Sequence, residues 1–175
     1  SRGLGDVYKR QVKTPIHGTS YIFVLAKRPK PHRVINLVAM ERMQNLYKDE
    51  TYAAWAANTL RLVTELKTFV ELYRSKGYVI AGYGAAAKGN TLLNASKVWL
   101  DFVIDDNELK QNKFTPGMNI PVVSIAELDK YTSDNKFLFV PLAWNYFDDI
   151  KRKIEARRKN DNDKFLKYFP KVIIE

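Results

Sequence analysis

The stretch that decides the fold is Tyr78-Val-Ile-Ala-Gly-Tyr-Gly-Ala-Ala-Ala-Lys-Gly-Asn-Thr-Leu-Leu-Asn94. An apolar β-forming run enters a glycine-rich, lysine-bearing turn that opens a helix. Such a strand-to-helix turn directs unpaired backbone N–H groups and the positive helix end outward, and Gly82, Gly84 and Gly89 let an anion approach the main chain. Gly82-Tyr-Gly84-Ala-Ala-Ala87 fits the loose G-x-G-x-x-G/A dinucleotide fingerprint, and Asp105 falls about 20 residues on, where a ribose-binding acid would stand. A phosphate loop of the G-K-[ST] type is excluded, because Lys88 precedes Gly89 and Asn90-Thr91 follows it. A tight strand-to-helix turn without a ligand has the same pattern.

Outward from this loop the chain alternates strands and helices. Thr19 to Ala26 reads as a strand closed by the proline-broken, charged Lys27 to His32. Ala39 to Tyr47 is compatible with a short helix. Thr51 to Lys76 has neither glycine nor proline, and Trp55, Thr59, Leu62, Leu66, Phe69 and Tyr73 form an amphipathic stripe expected to face a core. Gly77 ends that helix. The pattern continues with a strand Tyr78 to Ala81, a helix Lys88 to Ser96 and a strand Leu100 to Ile104. A turn-rich loop through Pro116-Gly117 leads to an extended piece Ile120 to Val123 and a helix Ile125 to Tyr131. A strand Phe137 to Leu142, a helix Phe147 to Arg158 and a last strand Val172 to Ile174 complete it. This succession predicts an α/β fold: a Rossmann-like, doubly wound, mainly parallel sheet, with an N-terminal strand and a long amphipathic helix preceding the glycine-rich loop. Ser1 to Lys13 shows no period and is set aside as a non-native lead or ragged fragment end.

Ligands of doubly wound sheets bind beyond the carboxyl ends of the strands. That rule gathers Tyr83 to Thr91, Asp105-Asp106-Asn107 and Trp144-Asn145 around one crevice. Each segment also has an ordinary structural use: Asp105 to Asn107 is good turn chemistry, and Asn145 suits a helix N-cap.

Composition narrows the function classes. The chain has 175 residues, 46% hydrophobic, enough for one substantial core, and no cysteine, which removes thiol catalysis, disulfides and cysteine zinc sites. With His17 and His32 as its two histidines, no metal centre is expected. No apolar run approaches the roughly 18 residues of a membrane span and no signal peptide is visible, so a cytoplasmic protein without membrane partners is expected. The net charge of +10 sits largely in Lys27 to Arg33 and Lys151 to Lys171. Lys151-Arg-Lys153 and Arg157-Arg-Lys159 recur at helical spacing, as on a solvated helix face, and no nucleic-acid docking motif accompanies them, so no specific nucleic-acid partner is expected.

Four separated motifs resemble one family: Gly82 to Asn94, Ile104-Asp-Asp106, Pro116-Gly117 with Ile120-Pro121, and Leu142-Ala-Trp-Asn145. In this order they closely resemble the C-terminal domain of sugar C-methyltransferases, transferases of deoxysugar biosynthesis that use S-adenosylmethionine to methylate a carbon of nucleotide-linked keto-deoxysugars. The resemblance runs from about Thr14 to the end. Pro15-Ile-His17-Gly-Thr-Ser20 resembles the last strand segment of the family's central, cofactor-binding domain, although Thr19 stands where a second glycine is common, and Ala86 stands where proline is frequent. The resemblance implies residues 14–33 as a remnant of that central domain and 34–175 as the C-terminal domain. The family's cysteine-rich zinc module and methyltransferase domain are not recognisable here. S-Adenosylmethionine is therefore expected on a domain outside this chain, no cofactor on the chain itself, and no methyl transfer by the chain alone.

The implied chemistry is carbanion alkylation: a base takes a proton beside a ketone, donors stabilise the enolate, and the carbon attacks the sulfonium methyl. The resemblance gives this domain the grip on a nucleotide-diphosphate sugar. Lys88 would face phosphate, the amides of Tyr83, Gly84, Ala85, Gly89 and Asn90 would cradle the diphosphate, and Asp106 and Asn145 would contact sugar or base hydroxyls, with Gly82, Thr91 and Asp105 counted among the substrate-binding residues. No residue is assigned as catalytic. A stand-alone NAD-type or nucleotide-binding module, with Asp105 on a ribose, and a non-catalytic interaction domain using the basic C-terminal helix remain the alternatives.

Overall fold

Glycine at 77 adopts a left-handed backbone (φ 80°), which stops a 27-residue helix and turns the chain into the first strand of the main sheet. The computed structural model describes residues 7–15, 20–26 and 32–175. His17 and the segment compared above with a central-domain strand lie largely outside the described residues. The chain divides into two compact units, Ser1–Ala57 and Asn58–Glu175.

In the first unit, β1 (Val7–Thr14) and β2 (Ser20–Ala26) pair antiparallel, from Val7 opposite Ala26 to Thr14 opposite Ser20, with an irregularity between Tyr8 and Arg10. The lead set aside on sequence grounds thus contains most of a paired strand. Its alternation of lysine, arginine and glutamine with single valines has no apolar face to announce it. Helix α1 (His32–Met43) follows, beginning well before the Ala39 expected from sequence. Helix α2 (Asp49–Ser75) starts in this unit and continues into the second.

The second unit is built on a sheet of β3 (Val79–Tyr83), β4 (Phe102–Ile104), β5 (Lys113–Phe114), β6 (Pro121–Val123), β7 (Phe137–Pro141), β8 (Lys164–Lys167) and β9 (Ile173–Ile174). The spatial order is β5-β6-β4-β3-β7-β8-β9, parallel from β6 through β8 and antiparallel at the two edges. Chain order reverses direction at β3, so its junction with β7 is the topological switch point of a doubly wound sheet. The strand alternation sorts the core into two faces. Ile80, Leu138 and Val140 pack with Leu66 and Val70 of α2 and Leu93 of α3 (Ala87–Ser96). Ala81, Phe137 and Phe139 pack on the other face with Phe147, Ile150 and Ile154 of α4 (Phe147–Arg157). Helices therefore cover both faces, as the β-α alternation requires.

Differences from the sequence reading are local. Burial on the α2 stripe begins at Leu66, whereas Trp55 is 68% exposed, so the amino-terminal part of the stripe is not core. Ile125–Lys130 winds as a 3-10 turn and not an α-helix, burying Leu128. Strand β8 is absent from the sequence reading, because Phe165-Leu166 is its whole apolar content between lysines.

One buried ion pair stitches the β7 and β8 entrances together. Arg158 Nε donates to Asp163 Oδ2 at 2.8 Å, with side chains 8% and 5% exposed. The Phe137 amide donates to the other Asp163 oxygen at 2.9 Å, and the guanidinium also reaches the Tyr131, Thr132 and Asn135 carbonyls. Arg158 is thus structural, not part of a solvated basic face. Asp163→Ala should cost about 3–5 kcal/mol, since a buried guanidinium then lacks its counter-charge. Chemical denaturation measures it, and a loss below about 1 kcal/mol would show the pair to be dispensable.

Candidate functional site: the carboxyl ends of β3, β4 and β7

The loop after β3 is shaped by steric limits at three glycines. A Cβ on Gly89 would lie 2.7 Å from Leu142 Cβ, and one on Gly82 would lie 2.8 Å from Leu100 Cδ1. Gly84 has φ 94°, with Ala143 Cβ 3.3 Å from where its own would stand. Helix α3 can therefore sit directly against the end of β7. It starts at Ala87 after an extended Ala86 without a side-chain cap. Its first helical bond runs from the Asn90 amide to the Ala86 carbonyl, and the amides of Ala87, Lys88 and Gly89 have no acceptor among the described residues.

Other amides of the loop are engaged internally. Gly84 N–H donates to the Ile104 carbonyl at 2.7 Å, and Ala86 N–H to the Gly84 carbonyl at 2.8 Å. Ala85 N–H donates to Asp105 Oδ2 at 2.7 Å. Asp105 is 7% exposed, and its second oxygen accepts the Asn107 amide at 2.9 Å. Lys110 Nζ bridges Asp105 Oδ2 at 3.1 Å and the Ala85 carbonyl at 3.0 Å. The acid where a dinucleotide ribose would be sought is therefore occupied in clamping the loop. The amides without an acceptor among the described residues lie two to four residues further along than Tyr83–Ala85.

Asp106, its neighbour, faces a different environment. Tyr83 Oη donates to its Oδ1 at 2.8 Å, and Lys153 Nζ of α4 approaches the same oxygen at 2.7 Å. Burial, followed by the hydrogen bond to Asp106, pushes the Tyr83 phenol up to about 12, so it stays protonated and donates throughout the neutral range. For Asp106, desolvation is the largest single influence and acts upward. The Lys153 and Tyr83 hydrogen bonds together outweigh it and hold the carboxyl below its ordinary value. Lys153 lies within a run that sequence periodicity assigns to solvent, and no local signal marks its partnership across the sheet end.

Two clefts flank the loop. One, of about 470 Å³, lies between α3 and the β5 edge, walled by Ala85, Ala86, Ala87, Phe114 and Pro116, with Lys110 and Lys113 among its lining. The other, of about 370 Å³, lies between the ends of β3 and β4 and helix α4, and holds Tyr83, Asp106, Tyr146, Asp149 and Lys153. Of the residues expected at the site, Tyr83, Gly84, Asp105 and Asp106 line the second cleft, and Ala85 and Asn90 the first. Lys88 and Thr91 are exposed on α3, and the Thr91 hydroxyl donates to the Ala87 carbonyl at 3.0 Å. Gly82 and Gly89 are buried spacers. Asn145 sits in a 3-10 turn, Trp144–Tyr146, and does not cap α4, whose N-cap position is Tyr146. Tyr146, Lys153, Lys110, Lys113 and Phe114 are additions from the structure. Asn94 ties the Pro116-Gly117 turn to α3 through the Pro116 carbonyl at 3.0 Å.

The sheet order, the glycine-shaped turn at the switch point and the strand-end clefts define a Rossmann-like α/β class of domain. The profile of the C-methyltransferase C-terminal domain family matches residues 15–170, and the chain belongs to that family. It is similar to the C-methyltransferase NovU of Streptomyces niveus, with 32% identity over 142 residues, 77% of this chain and 33% of that protein. The chain thus spans about a third of the length of that relative. Among the described residues no cluster of histidine, aspartate and glutamate is suited to a metal ion, and no helix is long and apolar enough to cross a membrane.

Gly89→Ala should destabilise the fold by about 1–3 kcal/mol, as overpacking against Leu142 does in a core; an unchanged denaturation midpoint would show that α3 is free to move away. The Asp106–Lys153 pair has a pH signature. Its carboxyl value is lower in the folded chain than in the unfolded one, so the contribution is present above the unfolded carboxylate range and lost as pH falls through the folded value. Carboxyl-carbon NMR should find Asp106 below 3.8, and Lys153→Met should raise it. A value insensitive to that substitution would remove Lys153 from the cleft's electrostatics.

Proposed function

We propose that this chain is the substrate-gripping C-terminal part of an S-adenosylmethionine-dependent C-methyltransferase acting on nucleotide-linked keto-deoxysugars, working in the cytoplasm with the methyl donor held elsewhere in the enzyme. In domain terms, residues 34–175 are that C-terminal domain and 14–33 belong to the preceding methyltransferase domain. The observation that carries the reading is the family match across residues 15–170, joined to a glycine-shaped turn flanked by two strand-end clefts, with the Ala87, Lys88 and Gly89 amides lacking an acceptor among the described residues.

The residues at this loop do not fit S-adenosylmethionine. The acid in the register of a dinucleotide ribose, Asp105, already accepts from Ala85, Asn107 and Lys110 in clamping the loop. The same engagement argues against a stand-alone NAD module. No step of methyl transfer is assigned to this chain. Its residues bind and orient: the Ala87 to Gly89 amides and Lys88 meet the diphosphate, Asp106 meets sugar or base hydroxyls, and Asn145, in the 3-10 turn after β7, is a further hydroxyl contact. Tyr83, protonated at neutral pH, fixes the Asp106 carboxylate without competing for a proton.

An interaction-domain role for the basic C-terminal helix has less support, because much of its charge is matched locally. Lys151 bridges Glu175 at 3.0 Å, and Arg152 and Arg157 pair with Asp149 and Asp129.

Calorimetry of the folded chain with a deoxythymidine-diphosphate sugar should show saturable binding, and Lys88→Ala should weaken it about fivefold, the worth of one exposed charge-assisted contact. Absence of binding by folded chain would overturn the proposal. Incubation with S-adenosylmethionine and a keto-sugar nucleotide should give no turnover by the chain alone; methylated product would place a donor site within it.

A further inference from the structure

The Pro116-Gly117 turn, one of the four motifs that carry the family resemblance, has no part in the diphosphate grip proposed above. It forms the tip of the hairpin made by β5 and β6. The cleft of about 470 Å³ has the Ala85–Ala87 turn, Asn90 and Leu93 on one side and Lys113 to Pro116 of this hairpin on the other. The hairpin wall is an edge of the sheet: β5 is bonded to β6 alone, and both of its residues are exposed. We infer that Asn94 is the positioning residue of this cleft, its carboxamide locking the hairpin onto α3 and setting the width in which a ligand is held, with Gly117 as the notch that receives it. The ligand is that of the proposed function, on which the positioning role rests; the lock itself is independent of it.

Asn94 lies on α3 one turn beyond Asn90, which itself lines the cleft. Its Nδ2 donates to the Asn90 carbonyl at 2.9 Å and to the Pro116 carbonyl at 3.0 Å. A carboxamide nitrogen carries two hydrogens, so one is spent on the helix and the other on the hairpin. The bond to the helix fixes the side chain and aims the second hydrogen across the gap. Among the described residues no other hydrogen bond joins α3 to the hairpin. On the hairpin side the fit is steric. Gly117 has φ 80°, and a Cβ there would overlap Asn94 Oδ1 and lie 3.0 Å from its Cγ. A side chain at position 117 therefore displaces the carboxamide and breaks both of its bonds. The tip is closed within itself: the Thr115 amide donates to the Ile120 carbonyl at 2.8 Å, the Asn119 amide to the Thr115 carbonyl at 2.9 Å, and the Ile120 amide to the Thr115 hydroxyl at 3.0 Å. It thus moves as one piece, carrying the wall with it. Met118 gives it an apolar foothold on the core, a contact without direction, and Asn94 supplies the directional tie.

The test takes the full chain with Asn94→Ala and with Gly117→Ala, two routes to the same broken lock. Alanine suits a helix better than asparagine does, so the first variant is expected to fold, and circular dichroism melting checks both. Nitrogen relaxation dispersion at the amides of residues 112–120 should be flat in the parent and show millisecond exchange in both variants, while the amides of β3, β4 and β7 stay flat. Calorimetry with a deoxythymidine-diphosphate sugar should give an affinity about fivefold lower in each, because the wall is in place for a smaller fraction of the time once the bond is lost. The double variant should bind no more weakly than either single one, since both residues act through one contact. Losses that multiply in the double variant would overturn the lock, as would flat dispersion in the folded variants. Exchange without loss of affinity would overturn the positioning role. If the folded parent fails to bind the sugar nucleotide while exchange still appears in the variants, the lock stands and the nucleotide-sugar reading is overturned, and the positioning role with it.

Discussion

The arrangement depends on how closely helix α3 can approach the end of β7. That distance is set by hydrogen atoms where other residues carry carbon: Gly89 over Leu142, and Gly82 between Leu100, Val103 and Leu142. Because Leu142 is packed against both glycines, the turn between β3 and α3 is pinned at the point where the sheet changes winding direction. The pinned turn leaves the Ala87 to Gly89 amides without an acceptor among the described residues and a cleft on either side of the loop.

Sequence periodicity and breakers make much of this legible. Apolar runs such as Phe137-Leu-Phe-Val140 announce strands buried on both faces, and Gly77 and Gly82 to Gly89 announce how one of them is entered and left. What escapes the sequence has consistent physical causes. Strand β8 offers only Phe165-Leu166 to the core and relies on Phe139 and Leu138 across the ladder for its conformation. Strand β1 breaks its apolar residues up with lysines, arginine and glutamine, so no apolar run announces its pairing with β2.

The same distinction governs the site. Glycine spacing and strand-end position point to the region where the structure places the two clefts, because both are local properties of the chain. The allegiance of a charged side chain is not local. Asp105 and Asp106 are adjacent and chemically identical, yet one turns inward to Ala85 and Lys110 and the other outward to Tyr83 and Lys153. Strand alternation sends neighbours to opposite sides, but which side faces a loop amide is decided by residues far away in sequence. Lys153 and Arg158 show the same effect within one basic run, since one closes a cleft and the other is buried against Asp163.

The clamp made by Asp105 and Lys110 bears on the kinetics of recognition. A glycine-rich turn left to itself samples many backbone states, and a ligand that selects one of them forfeits affinity in proportion to the rarity of that state. Here both the N–H and the C=O of Ala85 are held by side chains of the following turn, so the turn is already in its working shape. Ordering entropy is lost during folding and not on encounter. Any ligand of such a loop would meet a preformed turn, its docking limited by diffusion and orientation instead of by rearrangement of the protein.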